Sequence, residues 1–314
     1  MTLTSVSLTA GARITGAAQC AALAAIVAGW IVHDLAALDD PLELWRFWTS
    51  DTGAPSLTTT LADPLLLAVY GTAFAAALRP TLTAGALAAA GVITLALRVP
   101  GLWVLSSSWM GPRTTDDLRT SALYATFASL GLGVGLLITA VAGGRRTLSG
   151  RPDARVPLLA SIALGASAGV LTGWEIHTAM LAPDTFTERF TGGESVTLPL
   201  LGVPPGWLAV MIALLAAVSA LGAVRPLGLV AGLFVLGAGI RGMDLSVRNE
   251  LVWRWGELGA GDRLLVASWG LELVAGALVL LLLGGGTSRE PMTRPAPRPR
   301  ALGPPPPSSR PPGW

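Results

Sequence analysis

The run ITGAAQCAALAAIVAGWIVH, residues 14–33, contains neither an acidic residue nor an arginine, and it follows directly on Arg13. About 20 apolar residues in a helix cross a hydrocarbon core about 30 Å thick, so this run predicts a transmembrane helix. The whole chain has the same character, since 52% of its 314 residues are hydrophobic and only 13% are charged. A globular domain carries about 25% charged residues. The composition therefore excludes a soluble enzyme, a disordered chain and a nucleic-acid binder.

Further stretches with little or no charge are enough for eight transmembrane segments. Backbone polar groups in lipid must be bonded within the protein, so we expect these segments to be helices. The stretches are Arg13 to Asp34, Leu61 to Leu78, Arg79 to Arg98, Arg119 to Arg145, Val156 to Thr178, Glu194 to Arg225, Pro226 to Ile240 and Leu264 to Leu283.

Arginine and acidic residues alternate between the connecting segments. With the N-terminus inside, the inner segments hold Arg13, Arg79, Arg225 and the arginines of 145–155, whereas the outer loops are mainly acidic. Arginine-rich loops remain on the cytoplasmic side. We therefore expect a multi-pass protein of the cytoplasmic membrane with both termini inside.

A motif pair indicates an internal duplication. GWIVH at 29–33 and GWEIH at 173–177 contain the two histidines of the chain and are separated by about 144 residues. Three further matches share nearly the same offset, namely Arg46-Phe47 with Arg189-Phe190, Arg79-Pro80 with Arg225-Pro226, and Arg119 with Arg263. Each repeat has an even number of spans, so both copies enter from the same side and are parallel.

The predicted fold is therefore an all-α integral membrane protein of eight transmembrane helices, arranged as two parallel four-helix repeats. Its layout, with a loop after the first helix and an arginine-bearing turn between the second and third, resembles the DoxX-like four-helix membrane modules. The resemblance covers the layout alone and implies no activity. The predicted regions are a cytoplasmic N-terminus (1–13), repeat 1 (14–144), a cytoplasmic linker (145–155), repeat 2 (156–284) and a disordered Pro/Arg-rich cytoplasmic tail (285–314).

The duplicated motifs supply the first candidate site, at the outer rim. Trp and His three residues apart share a helix face, and two histidines at equal depth could share a ligand. That ligand is a small molecule, a lipid headgroup, or a b-type haem held by both imidazoles. Ordinary anchoring of Trp and His at the membrane interface explains the same pattern. The candidate ligand-binding residues are His33, His177, Trp30, Trp174, Arg46 and Arg189.

Arg241 and Glu272 supply the second candidate site, because ionisable residues within membrane spans are costly and usually functional. Their expected depths predict an intramembrane ion pair, which serves as a structural clamp or as a ligand or proton site. Glu175, inside the second GWxxH motif, either tunes His177 or faces water. Asp63 is interpreted as the N-terminal boundary of the second span. Cys20 is interpreted as a core residue, and the sequence predicts no metal site.

Three functions remain open. The first is binding or transport of a small amphiphilic molecule at a cleft between the repeats that faces the extracytoplasmic side. The second is a membrane-bound redox, haem or other enzyme that uses the histidine pair, although phosphate-loop, HExxH, DDxxD and GxSxG motifs are missing. The third is an accessory scaffold whose proline-rich tail binds a protein partner. The expected partners are the lipid bilayer and a small molecule or lipid, and not nucleic acid.

Overall fold

A computed structural model describes residues 4–38, 40–49, 57–79, 83–148, 155–193, 196, 198–222 and 225–285. Its described part is almost wholly helical, with one short two-stranded sheet. The elements are β1 (Thr4–Leu8), α1 (Ala10–Ala36), α2 (Pro41–Thr49), α3 (Ala62–Ala77), α4 (Thr83–Ser106), a 3-10 helix (Ser108–Arg113), α5 (Asp116–Ala142), β2 (Gly144–Leu148), α6 (Arg155–Leu181), α7 (Glu188–Thr191), α8 (Pro205–Gly222), α9 (Arg225–Arg248) and α10 (Ala260–Gly284).

Six of these helices are long and apolar enough to cross a membrane, namely α1, α4, α5, α6, α9 and α10. This confirms the helical, membrane-type architecture expected from composition. The helices begin where the local sequence favours it. Thr9 and Thr115 accept hydrogen bonds from backbone N–H groups in the first turns of α1 and α5, which satisfies donors that have no partner within the helix.

The apolar helices α3 and α8 are shorter, and each follows a buried non-helical segment. The segment before α3 contains Leu57, Thr58 and Thr59, which are 3% exposed or less. The segment before α8, residues 198–204, is also largely buried. The two segments are joined directly, because the N–H of Leu201 donates to the carbonyl of Thr58 at 2.9 Å. Backbone that is not helical is tolerated at membrane depth where protein covers it.

The helix contacts follow one pattern within each half of the chain. In the first half α4 packs most extensively on α5, α1 packs on α3 and α5, and α3 packs on α4. In the second half α9 packs most extensively on α10, α6 packs on α8 and α10, and α8 packs on α9. In both halves the last two membrane helices therefore pack most extensively, α4 with α5 and α9 with α10.

Glycine permits that close approach in the second half. A Cβ on Gly239 would lie 2.3 Å from the backbone nitrogen of Leu273, and one on Gly276 would lie 2.5 Å from that of Leu236. Neither backbone can move aside cheaply, so α9 and α10 need glycine at these positions. Glycine contacts of this kind are a general means of helix association in membranes.

The halves meet where α4 contacts α9, with smaller contacts of α3 on α9 and of α8 on α4. One hydrogen bond across this boundary has a clear cause. Pro100 lies inside α4 and has no N–H, so the carbonyl of Ala96 loses its helical donor. The indole Nε1 of Trp207 in α8 donates to that carbonyl at 2.7 Å, and its ring packs edge-on against Trp103. The second half thereby completes the backbone of the first.

Two helices extend beyond the predicted span limits. The third span was predicted between Arg79 and Arg98, and the seventh from Pro226 to Ile240. In the structure α4 continues to Ser106 and α9 to Arg248, so Arg98 and Arg241 lie within helices. The helix of the sixth predicted span is α8, which begins at Pro205, well after Glu194.

The sequence analysis also missed the sheet. β1 pairs with β2 in antiparallel register, with Thr4 opposite Leu148 and Leu8 opposite Gly144. This pairing ties the chain before α1 to the start of the predicted linker 145–155. We call the side of the molecule that carries this sheet the sheet face, and the opposite side the histidine face. The proline-rich tail, 286–314, lies outside the described residues.

Candidate functional site

A cavity of about 510 Å³ lies between α3, α4, α9 and α10, at the boundary of the two halves. Its walls are almost entirely apolar. The lining from the first half is Ala68, Val69, Thr72, Ala73, Ala75, Ala76, Arg79, Ala86 and Ala89, and that from the second half is Arg225, Pro226, Leu229, Val230, Leu233, Leu280, Leu283 and Gly284.

The charged end of the cavity lies at the sheet face. Arg79 follows the last turn of α3, Arg225 begins α9, and Gly284 ends α10. From Arg79 to Ala68 the cavity wall rises about 16 Å along α3 at 1.5 Å per residue. The cavity is therefore a deep apolar space with two arginines at its mouth.

Helix C-termini hold arginines in place around this end. The Nε of Arg225 donates to the carbonyl of Leu283 at 2.8 Å, in the last turn of α10. Arg13 donates to the carbonyls of Ala77 and Leu78 where α3 ends. The last carbonyls of a helix have no internal donor and carry partial negative charge. The sequence analysis noted the Arg-Pro turns but assigned them no site.

The two GWxxH motifs lie near the ends of α1 and α6, on the histidine face. In both motifs the Trp and His rings pack edge-on, with centroids 5.7 Å apart for Trp30 and His33 and 5.3 Å apart for Trp174 and His177. Trp174 also donates to the hydroxyl of Ser268 at 2.9 Å.

The histidine-bearing helices belong to different helix groups. Among the described residues α1 packs mainly on α3 and α5, α6 packs mainly on α8 and α10, and the extensive helix contacts do not include α1 with α6. Both histidines are exposed. A ligand shared between them stays a prediction, and this packing does not bring the two rings into one pocket.

The matched arginines of the outer loops have different surroundings. Arg189 pairs with Glu175, Nη2 to Oε1 2.7 Å, so Glu175 bonds to this arginine and not to His177. Arg46 is exposed on α2, and its carbonyl accepts a hydrogen bond from Arg248. The helix α2 is fastened to α9 beside it, because Thr49 donates to Asp244 at 2.6 Å.

Arg241 and Glu272 lie on the neighbouring helices α9 and α10, as expected, and Glu272 is only 3% exposed. The ion pair predicted between them stays a prediction, and it is not among the ion pairs of the described residues. Arg241 is not without a partner, because it interacts elsewhere in the protein. Among the described residues Glu272 forms no hydrogen bond or ion pair, so it is a buried carboxyl without a protein partner there.

The sequence analysis missed a buried carboxylate at the histidine face. Asp34 is fully buried and accepts hydrogen bonds from the backbone N–H groups and the hydroxyls of Thr58 and Thr59. Thr59 in turn accepts from the indole of Trp48 at 3.1 Å. Asp34 was interpreted as a loop residue, whereas it anchors the buried segment before α3. Three consecutive threonines, at 58–60, were the available signal in the sequence.

A buried ion pair joins α3 and α4. Arg98 donates to Asp63 at 2.6 Å, and their side chains are 6% and 2% exposed. Asp63 also accepts from the N–H of Thr60 at 2.7 Å. On the same helix pair the hydroxyls of Tyr70 and Thr94 are 2.8 Å apart. Asp63 lies in the first turn of α3, at the boundary where it was interpreted, but the sequence analysis missed its partner.

The described ranges contain no group of three or more His, Cys, Asp or Glu side chains placed to hold a metal ion. Cys20 is fully buried in the core of the first half, as the sequence analysis interpreted it. Comparison with protein-family models, with curated proteins and with solved structures gives no match. The DoxX-like layout is therefore not accompanied by a family assignment.

Proposed function

We propose that this chain is an eight-span protein of the cytoplasmic membrane, built from two parallel four-helix repeats, that binds a small amphiphilic molecule between the repeats. The observation that carries the binding is the cavity between α3, α4, α9 and α10, which is apolar along its walls and charged at one end. Small-molecule sites are typically concave, largely apolar and several hundred Å³ in volume, with a few polar groups. The site is thus proposed at the sheet face, not in the outer cleft first expected.

Eight spans follow if α3 and α8 cross the membrane together with the buried segments that precede them. At 1.5 Å per residue α3 covers about 24 Å. Residues 57–61 extend it toward the histidine face, and residues 198–204 do the same for α8. With these two crossings, the sheet face carries both the N-terminus and the end of α10.

The duplicated pattern of contacts supports the repeats. First with second, second with third, third with fourth and first with fourth helices pack together in each half. Contacts between the halves are reciprocal as well, because α2 packs on α9 and its counterpart α7 packs on α4. A twofold axis between α4 and α9, along the membrane normal, accounts for this reciprocity.

The arginines support the orientation. Arg13, Arg79, Arg145, Arg146 and Arg225 belong to the sheet face, which the positive-inside rule places in the cytoplasm. The amphiphile would then enter from the cytoplasmic leaflet.

Native mass spectrometry of the protein, released from membranes in a mild detergent, tests the binding. We expect the parent to retain a defined amphiphile. Ala76→Phe places a ring in the cavity and is expected to reduce that retention at least tenfold. Ala25→Phe, the same change at an exposed position of α1, is the control and should retain the amphiphile.

Two results would contradict the proposal. One is a parent that retains no amphiphile, and the other is equal retention by Ala76→Phe and Ala25→Phe. A variant with both His33→Ala and His177→Ala is measured beside them. Loss of the amphiphile in that variant alone would return the site to the histidine face.

A transport function is the second candidate, because Glu272 is a buried carboxyl without a described partner in α10. In this version Glu272 takes up and releases a proton as the amphiphile moves. The test is proton entry into dye-loaded liposomes after an external acid pulse. Glu272→Gln should abolish the protein-dependent flux, whereas Glu257→Gln, in an exposed loop, should not; equal flux in both would refute the transport version.

A further inference from the structure

The cavity at the sheet face combines two chemical characters. Among the lining residues that the structure describes, Thr72 has the only uncharged polar side chain, and its hydroxyl donates to the carbonyl of Val69 within its own helix. The remaining polar side chains are the guanidinium groups of Arg79 and Arg225. A molecule that complements this site has a long apolar part and a negatively charged end.

The length of the cavity matches one leaflet of a bilayer. Its wall rises about 16 Å from Arg79 to Ala68 and about 12 Å from Arg225 to Leu233. Half of a hydrocarbon core about 30 Å thick is about 15 Å. An acyl chain with its headgroup at the arginines would therefore end near the bilayer midplane.

The cavity is accessible from the side. Ala68, Thr72 and Ala75 are exposed on α3, so a lipid could reach the cavity without leaving its leaflet. Aligning Arg79 with Arg225 places Leu214, Val218 and Leu221 of α8 opposite these three positions. The small side chains of α3 therefore leave this space open. At the matching positions of α8, larger side chains would fill it.

We infer that this cavity binds one anionic phospholipid of the cytoplasmic leaflet, with its phosphate at Arg79 and Arg225 and an acyl chain along α3 and α9. This inference deepens the proposed function and rests on it. Guanidinium groups are well suited to phosphate, because their planar donors match its oxygens. Each arginine near an anionic headgroup contributes about 1 kcal/mol, which gives the pair about a 30-fold preference for an anionic over a zwitterionic lipid.

The experiment uses the full chain in nanodiscs of equal parts phosphatidylglycerol and phosphatidylcholine. After release, native mass spectrometry counts the phospholipid retained by each protein. The parent should retain one phosphatidylglycerol with about 30-fold preference. The double variant Arg79→Gln, Arg225→Gln should still retain a lipid but lose the preference. The double variant Arg79→Lys, Arg225→Lys keeps both charges but loses the hydrogen bond from Arg225 to Leu283. It should keep most of the preference, and it therefore controls for loss of that hydrogen bond.

A matched control removes two charges elsewhere on the same face. Arg145→Gln with Arg146→Gln, in β2, should leave the preference unchanged. Equal retention of both lipids by the parent, or a preference that persists in the Arg79→Gln, Arg225→Gln variant, would overturn the inference. Either result leaves the proposed function standing as long as Ala76→Phe still removes the bound lipid. Absence of any retained lipid in the parent would instead overturn both.

Discussion

The two halves of the chain bury ionisable side chains in different ways. In the first half Asp63 and Arg98 form a pair at 2.6 Å, and Asp34 is surrounded by the hydroxyls and N–H groups of Thr58 and Thr59. In the second half Glu175 pairs with Arg189 at 2.7 Å, whereas Glu272 is as buried as Asp63 but has no partner among the described residues. A charge in a low-dielectric interior is stable only with an opposite charge or with donors. The carboxyl groups of the first half therefore have structural partners, which Glu272 lacks among the described residues.

The largest expected effect comes from breaking the pair. Asp63→Ala leaves Arg98 buried without its counter-charge, and we expect a loss of about 3–5 kcal/mol in the free energy of unfolding. Unfolding in mixed detergent micelles, followed by circular dichroism, measures this. Asp63→Ala with Arg98→Met removes both charges and should recover most of the loss. Equal losses in the single and double variants would show that the pair is not the source.

The next effect concerns the Asp34 carboxylate, which is held by hydrogen bonds from Thr58 and Thr59 and lies 3.3 Å from Nδ1 of His33. Asp34→Asn turns one acceptor oxygen into an NH₂ group facing the donors of Thr58 and Thr59. We expect the free energy of unfolding to fall by about 1.5–3 kcal/mol, because hydrogen bonds to a charged group are lost. Asp184→Asn, at an exposed turn, is the control in the same assay. No difference between the two variants would contradict the role assigned to Asp34.

A smaller effect tests whether the halves stabilise one another. Trp207→Phe keeps an aromatic ring in α8 but removes the donor to the carbonyl of Ala96. That carbonyl cannot use the backbone of Pro100, so we expect a loss of about 1–2 kcal/mol. Restoring a backbone N–H with Pro100→Ala in the Trp207→Phe background should recover part of the loss. If Pro100→Ala has no such effect, the indole is not a substitute donor.

The smallest effect is expected at Glu272. Glu272→Gln keeps the shape of the side chain and removes its ionisable group, so stability should change by less than about 1 kcal/mol. Glu257→Gln is the exposed comparison. A loss larger than that of Asp34→Asn would show that the Glu272 carboxylate is held by specific donors and would erase the contrast between the halves.

The helical membrane fold could be predicted from the sequence because hydrocarbon thickness sets a length that charge-free runs reveal. The same reasoning took Arg98 as the end of the third span, because an arginine was expected at the membrane surface there. Only the position of Asp63 across the helix pair shows that Arg98 is neutralised inside the protein. Pairing across 35 residues is a tertiary property.

The candidate site was harder to predict. The motif repeat directed attention to His33 and His177, whose interpretation depends on how α1 and α6 pack. The cavity arises instead from small side chains of α3 next to α9, which carry no motif. Pairing of β1 with β2 was also invisible, because five-residue segments far apart in the chain have no joint sequence signal.

The buried pair also bears on how the protein enters the membrane during synthesis. Asp63 leaves the ribosome before Arg98, and at about 5–20 residues per second the arginine follows after about 2–7 s. If α3 crosses the membrane as proposed, it carries an uncompensated carboxylate during that interval, which opposes its release into lipid. We expect the translocon to hold α3 until α4 arrives and to release the two as a helical hairpin. The rate at which the first half inserts into the membrane would then depend on the formation of one ion pair.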